Sequence, residues 1–337
     1  MRRNKVVSLI AAAGIATLGL TACSSSDDSS SDSGSTKTFK VAFNQNSAHP
    51  QAKAIAEIGE KLKEQTGGKY ALELFPDELL GAQAETIEMV QSGSVEMAIV
   101  GGSLLENFNP DFAVVNLPYL YESAEHQMKV LNDPEIVGDL YSSMDDKNIH
   151  VLASYHGGIR NVYTTKGPVT TPADLKGQKI RVIGSDTNVR MMELMGGVGT
   201  PMAQGEVYTA IQSGVLDGAE NNELIYSDLA HAEIAGFYSY TKHLMMPDTL
   251  IINPKVLADM DEESRKVLTD AVAASVDTEL SLFQEGVEAA KAKAEAAGAK
   301  FNDADVEAFR TAVLPLHEER LTTDVTKAIY DKIEAAR

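Results

Sequence analysis

With 337 residues, 44% of them apolar, the chain can build one large domain or two medium ones with substantial cores, which excludes a wholly disordered or fibrous protein. Formal charge is −20, and a leader ending at residue 22 would remove Arg2, Arg3 and Lys5 and leave −23; a surface this acidic argues against a nucleic acid partner. The single cysteine, Cys23, leaves no disulfide, thiolate zinc site or cysteine nucleophile for the mature fold.

Residues 1–22 read as a secretory signal peptide: a basic start, an apolar run from Val6 to Leu20, then Leu20-Thr21-Ala22-Cys23. The run is shorter than the roughly 20 apolar residues needed to span a membrane. Small residues before one cysteine resemble the lipobox of bacterial lipoproteins, in which Cys23 would be lipidated and become the new N-terminus. Residues 23–37 form a tether that carries no apolar residue after Cys23 and lets the folded part stand off a membrane.

Phe39 to Phe43 alternates as a strand and runs into a polar loop, Asn44 to Pro50. Helical spacing at Ile55, Ile58 and Leu62 ends at Gly67-Gly68, and a second strand follows from Tyr70 to Phe75. This opening predicts an α/β domain with a parallel sheet, whose ligands bind beyond the carboxyl ends of the strands. Ala84–Ala98 and Gly205–Ala219 form a weak repeat around Gln-Ser-Gly, each a short helix, a glycine cap and a buried strand. A helix is predicted through Met128 and Leu131, and a strand from His150 to Tyr155 that ends at Gly157-Gly158-Ile159-Arg160. Thr171 to Val182 reads as a turn, a short helix and a strand. Asp261 opens a stretch free of glycine and proline until Gly286 that runs on to Ala297; as one helix of about 36 residues it would extend about 54 Å, longer than one small lobe, so the chain is expected to have two lobes with this helix running along both. Asp305 to Arg337 is expected to pack as further helix.

No zinc-protease, nucleophile-elbow, P-loop or dinucleotide fingerprint occurs, the seven histidines show no metal-ligand spacing, and no carboxylate pair stands out for acid/base work. Missing motifs leave an enzyme unsupported without excluding one, and no cofactor is called for. Arginine is more informative: residues 23–337 hold seven, and only Arg160, Arg181 and Arg190 precede Arg265. Arg160 and Arg181 sit at strand or loop positions beside glycines, where a guanidinium fork can clamp a carboxylate or else form a structural ion pair. Arg190, on a helix, reads as structural. Glu220, Asn221 and Asn222 end a strand; Asn221 can serve a ligand oxygen or form a turn. His49 can cap a helix or reach a ligand, and Asn44 and Asn46 follow the first strand.

NLPYLY, HGGIRN, TPADLKGQKIRV and GTPMAQGEVYTAIQSGVLDGAENN, in this order, resemble the solute receptors of TRAP transporters, tripartite ATP-independent systems for organic acids. The resemblance covers the chain from Thr38 onward. It implies a two-lobed α/β fold of the periplasmic-binding-protein type II kind with crossing hinge strands and a long lobe-spanning helix. Lobe I is expected at 38–157 plus about 247–285, and lobe II at 158–246 plus about 286–337. It further implies a monomer that carries a small organic acid to a membrane permease, extracytoplasmic and held to the outer face of the cell membrane by lipid at Cys23. By motif, Arg181 matches the arginine that salt-bridges the substrate carboxylate, Arg160 a second cleft arginine, Asn221 the amide of the Gly-x-Glu-Asn segment, and Asn44 a polar cleft residue. Gln204 and Gly102 depart from the sialic-acid receptors, which carry an aromatic residue and an acid there. The doubled amide Asn221-Asn222 with His49-Pro50 is similar to receptors for sugar acids such as uronates, with C4-dicarboxylate receptors and, more remotely, a surface enzyme acting on acidic sugars as alternatives.

Overall fold

The computed structural model describes residues 36–337, so the expected signal peptide, Cys23 and all but the last two residues of the expected tether lie outside the described residues, and the tether's last expected residue, Lys37, already belongs to a strand. Eleven strands in that range form two sheets: β1 Lys37–Ala42, β2 Tyr70–Phe75, β3 Met97–Gly101, β4 His150–His156, β5 Arg160–Thr164, β6 Lys179–Val182, β7 Val198–Pro201, β8 Gly218–Asn221, β9 Phe237–Leu244, β10 Pro247–Ile252 and β11 Lys300–Asp303. The first sheet has the order β2-β1-β3-β10-β4, the second β11-β9-β5-β8-β6-β7. Neither is purely parallel. β10 runs antiparallel between β3 and β4, and β5 runs antiparallel to both β8 and β9, so the expected parallel sheet is corrected to a mixed one in each half. Leu250 is what earns β10 its central place: opposite Ile99 on one side and Ala153 on the other, it is fully buried.

Local chemistry sets the helices that matter for the site. Helix α1, Pro50–Gln65, starts at His49, whose Nδ1 accepts from the Gln51 N–H at 3.3 Å, with Pro50 at the first helical position. It buries Ala54, Ile55, Ile58 and Leu62, and it ends where Gly67 and Gly68 take φ of +63° and +82°. The repeat becomes two matching units: α2, Gln83–Ser92, is capped by left-handed Gly93 before β3, and a second short helix, α3, Val207–Gln212, is followed by left-handed Gly214 and β8. β3 and β8 each lie inside their own sheet.

The long helix α4, Glu262–Ala296, is unbroken over 35 residues, about 52 Å, and Asp261 caps it by accepting from the Ser264 N–H at 2.9 Å. Its first half packs Leu268 and Val272 with Phe39, Ile55 and Leu250 of the first sheet's core, while Ala294 joins Tyr163, Tyr226 and Tyr238 of the second. Burial of such apolar faces at about 25 cal/mol per Å² is the main reason one helix stays rigid along both sheets. Beyond it come Val306–Val313, Pro315–Arg320 and Asp324–Ala335, all helical. Phe309, Val313 and Ile333 share one core with Val115, Leu140 and Val182, so the C-terminal helices touch parts of both sheets' surroundings. The chain passes between the sheets at two neighbouring places, Gly157 to Ile159 and Met245-Met246. His156 faces Pro247 at the end of one sheet, and Arg160 faces Leu244 at the start of the other.

Among the described residues no helix is long and apolar enough to cross a membrane, and no cluster of histidine, cysteine and carboxylate could hold a metal ion.

Candidate functional site

Both early arginines end up buried beside the two crossings, each only 3% exposed, yet their surroundings differ in kind. Arg160, the first residue of β5, is matched. Its Nε donates to Glu220 Oε2 at 2.5 Å, its Nη2 to Glu220 Oε1 at 2.7 Å and to the Glu220 carbonyl at 2.8 Å, and its Nη1 to Asn221 Oδ1 at 3.1 Å. The antiparallel register that sets Asn161 opposite Asn221 and Val162 opposite Glu220 brings these residues together across 60 positions of sequence. Burial alone would raise the Glu220 carboxyl; Arg160 and a hydrogen bond from His243 outweigh it and hold the group down at about 2.

Arg181, on β6, is unmatched. Its Nε donates to the Met202 carbonyl at 2.9 Å, and among the described residues neither Nη has a hydrogen-bond partner. Burial, and next to it the positive charge of Arg160, lower this guanidinium to about 10. The charge of Glu78, which accepts a hydrogen bond from the Gly205 backbone, also acts on it, but Glu78 forms no ion pair with Arg181. A desolvated cation next to another cation is stabilised by any anion that reaches its free fork. Arg190 is unlike either: exposed, it pairs with Glu193 and Glu319.

Arg160 and Arg181 line one cavity together with Asn44, His49, Asn221 and Asn222. Asn222 also begins a helical turn at 223–228, where its Oδ1 accepts from the Ile225 N–H at 2.9 Å, while its Nδ2 donates to the Gly157 carbonyl at 2.8 Å across the crossing. Gly158 must stay glycine there, since φ is +79° and an added Cβ would lie 2.5 Å from that of Asn222. The His49 ring packs edge-on against Phe43 and Phe283, and burial lowers its imidazole to about 4. With Nδ1 accepting from Gln51, the neutral ring carries its proton on Nε2.

Two of the residues singled out from sequence are elsewhere. Glu220 lies behind Arg160 rather than on the cavity wall, and Asn46 spans outward, its Nδ2 donating to Asp228 Oδ2 at 3.3 Å. Four polar residues on or at the wall went unread as site residues: Gln45, Gln83, Gln204 and Asp248. Gln45 and Gln204 exchange amide hydrogen bonds, at 3.3 and 3.0 Å, and so join the loop after β1 to the turn after β7. Gln83 Oε1 accepts from the Gly101 N–H at 2.6 Å, which puts this side chain on the cavity in place of the strand end Gly101 to Ser103. Asp248 is visible in the sequence as a lone acid within Leu244 to Ile252, a run whose only other polar residue is Thr249. The cavity encloses only about 20 Å³, and it meets a second of about 270 Å³ at Gln83, Arg181, Ile183 and Gln204.

The profile of the family described as "Bacterial extracellular solute-binding protein, family 7", or DctP, matches residues 41–324. A solute-binding protein of Chromohalobacter salexigens is 33% identical over 291 residues, which is 83% of this chain and 86% of that one. A TRAP periplasmic solute-binding protein from Anaerococcus prevotii, solved with α/β-D-glucuronate bound, is 38% identical with a TM-score of 0.86, over 89% of this chain and 98% of its own. Another, from Xanthobacter autotrophicus with β-D-galacturonate bound, is 33% identical with a TM-score of 0.85, over 89% and 100%.

Proposed function

We propose, for a chain that belongs to the DctP family of bacterial extracellular solute-binding proteins, that it is the receptor of a TRAP transporter and binds a sugar acid of the uronate class. The carrying observation is Arg181, a buried guanidinium whose Nη groups face a cavity with no protein partner. The ligand carboxylate occupies that fork in two parallel hydrogen bonds. Asn44, His49, Asn221 and Asn222 serve the sugar hydroxyls, Arg160 lies beside the carboxylate, and Glu220 acts through Arg160. Asn46 ties its loop to Asp228. Receptor and not enzyme is also the reading of the family, and uronates bound to the Anaerococcus and Xanthobacter proteins support the substrate class.

Residues 38–157 with about 247–285 act as one lobe, and 158–246 with about 286–337 as the other. A cavity of about 20 Å³ admits little more than one water, so a sugar acid enters by parting the Gln45–Gln204 pair and leaves the lobes closed over it. Ligand favours the closed form because Arg181 comes from one lobe and His49 and Asn44 from the other. The loaded receptor then delivers its acid to the membrane permease.

Melting the protein with D-glucuronate, D-galacturonate or succinate tests this. A uronate at a hundredfold excess over its dissociation constant stabilises the native state by about 2.7 kcal/mol and raises the melting temperature, whereas succinate leaves it unmoved. A shift with succinate and none with either uronate overturns the substrate class.

The receptor is extracytoplasmic and held to the membrane by lipid on Cys23. Cys23→Ser is expected to move it from the membrane fraction to the soluble one; a variant that still sediments with membranes sinks the anchor.

A further inference from the structure

Asp248 is the one carboxylate among the residues lining the small cavity. It stands on β10 immediately after the second crossing, so it enters from the first sheet, while Arg181 enters from the second. Its Oδ2 accepts from Gln51 Nε2 at 2.8 Å. Gln51 is itself fully buried, and its Oε1 has no partner among the described residues. An amide that leaves its oxygen unsatisfied in order to turn its N–H₂ to a neighbour marks that neighbour as an acceptor. Among the described residues Oδ1 of Asp248 has no hydrogen-bond partner, and Asp248 lines the cavity.

The charges in the cavity therefore divide simply. Arg160 is matched by Glu220 in a bidentate pair, and the other polar lining groups, including Asn44, His49 and Gln204, are neutral. In the lining of the small cavity one cation, Arg181, and one carboxylate, Asp248, are left for the ligand; burial raises that carboxyl, and the Gln51 amide and the charge of Arg160 oppose the rise. The cation takes a single carboxylate. A carboxylate oxygen only accepts, so what suits it is a hydroxyl, and the hydrogen bond is strengthened by the charge. A second carboxylate on the ligand finds no free cation and meets Asp248 instead.

We propose that Asp248 makes this receptor select hydroxyl-bearing monocarboxylates against dicarboxylates. The proposal rests on the reading of the protein as a uronate receptor and adds the residue that sets the class boundary. A like charge a few ångströms away disfavours an ionised group, and a penalty of about one pK unit is tenfold in the affinity for a dianion.

The test is a set of calorimetric titrations at neutral pH of the purified protein and its D248N variant. The ligands are D-glucuronate, succinate and D-glucarate, which has the same carbon chain as glucuronate with a second carboxylate. The parent is expected to prefer glucuronate to glucarate by tenfold or more. D248N keeps the shape and the contact to Gln51, and it should bring the two affinities within about threefold of each other. An unchanged ratio in D248N overturns the role of Asp248 and leaves the uronate receptor standing. A parent that binds succinate or glucarate more tightly than glucuronate overturns both. Should D248N fail to fold, the parent's own ratio decides: a value near one overturns the proposal, and a value of ten or more together with loss of folding in D248N but not in D248E, tested with the same ligands for retained discrimination, supports it.

Discussion

Replacing Arg181 with alanine is expected to weaken uronate binding about 30-fold to several thousand-fold while leaving the unliganded protein as stable as its parent. Removing one member of a buried, hydrogen-bonded charge pair costs about 2 to 5 kcal/mol, and each 1.4 kcal/mol is tenfold in a dissociation constant. The pair exists only with ligand present. Without it, Arg181 keeps a single bond to the Met202 carbonyl, and its environment works against the charge, with burial first and Arg160 second lowering it to about 10. Little native stability is thus held there. Arg181→Lys separates charge from shape: it keeps the cation and loses the planar fork, so it should recover only part of the affinity. Titration calorimetry and thermal melting of the same samples read both effects. An alanine variant with the parent's melting temperature and the parent's affinity would remove the carboxylate clamp from the account.

What could be read from sequence was what local chemistry determines. β2 has the bounds Tyr70–Phe75 that its alternation and flanking glycines suggested, and the helix from Glu262 follows from Asp261 as its cap and the long absence of glycine and proline. The helix–glycine–strand repeat was legible because Gly93 and Gly214 both take left-handed conformations that end a helix. What lay beyond reach depends on partners far along the chain. β10 is a central strand because β3 and β4 leave a gap for it, and nothing in Pro247 to Ile252 by itself states that. The helix Pro134–Ser142, not among the predicted elements, carries its own local signals, a capping Asp133 followed by Pro134. At the site, Arg160 and Glu220 each stood out as separate candidates; that they belong to each other is a fact of strand register. Gln204 stands out in the sequence only as a departure from the sialic-acid receptors and Asp248 only as a lone acid in an apolar run; that both belong to one cavity depends on neighbours far along the chain.

That pairing leads to the opposite expectation for Glu220. Glu220→Gln should cost about 3 to 5 kcal/mol of folding stability, because it leaves the buried Arg160 guanidinium without the carboxylate that neutralises it. The loss has a pH signature. Glu220 is held at about 2 in the native protein against 4.5 for an ordinary glutamate: burial opposes the shift, and Arg160 and His243 overcome it. A carboxyl lowered on folding contributes its stability in full above the unfolded value and loses it as pH falls through the folded one. The contribution, about 3 kcal/mol from the shift, is therefore present at neutral pH and fades between about pH 4.5 and 2. Urea unfolding of parent and variant should show a wide gap in midpoint at pH 7 that closes toward pH 2. A second substitution identifies the cause. If the penalty is an orphaned charge, removing the charge as well, in Arg160→Met with Glu220→Leu, should restore much of the stability, since replacing a buried ion pair with apolar groups of similar volume is often neutral or better. If the double variant is no more stable than Glu220→Gln, or if the gap persists unchanged in acid, the stability resides in the packing of β5 against β8. Arg160 would then be held by its strands, and not by the carboxylate behind it.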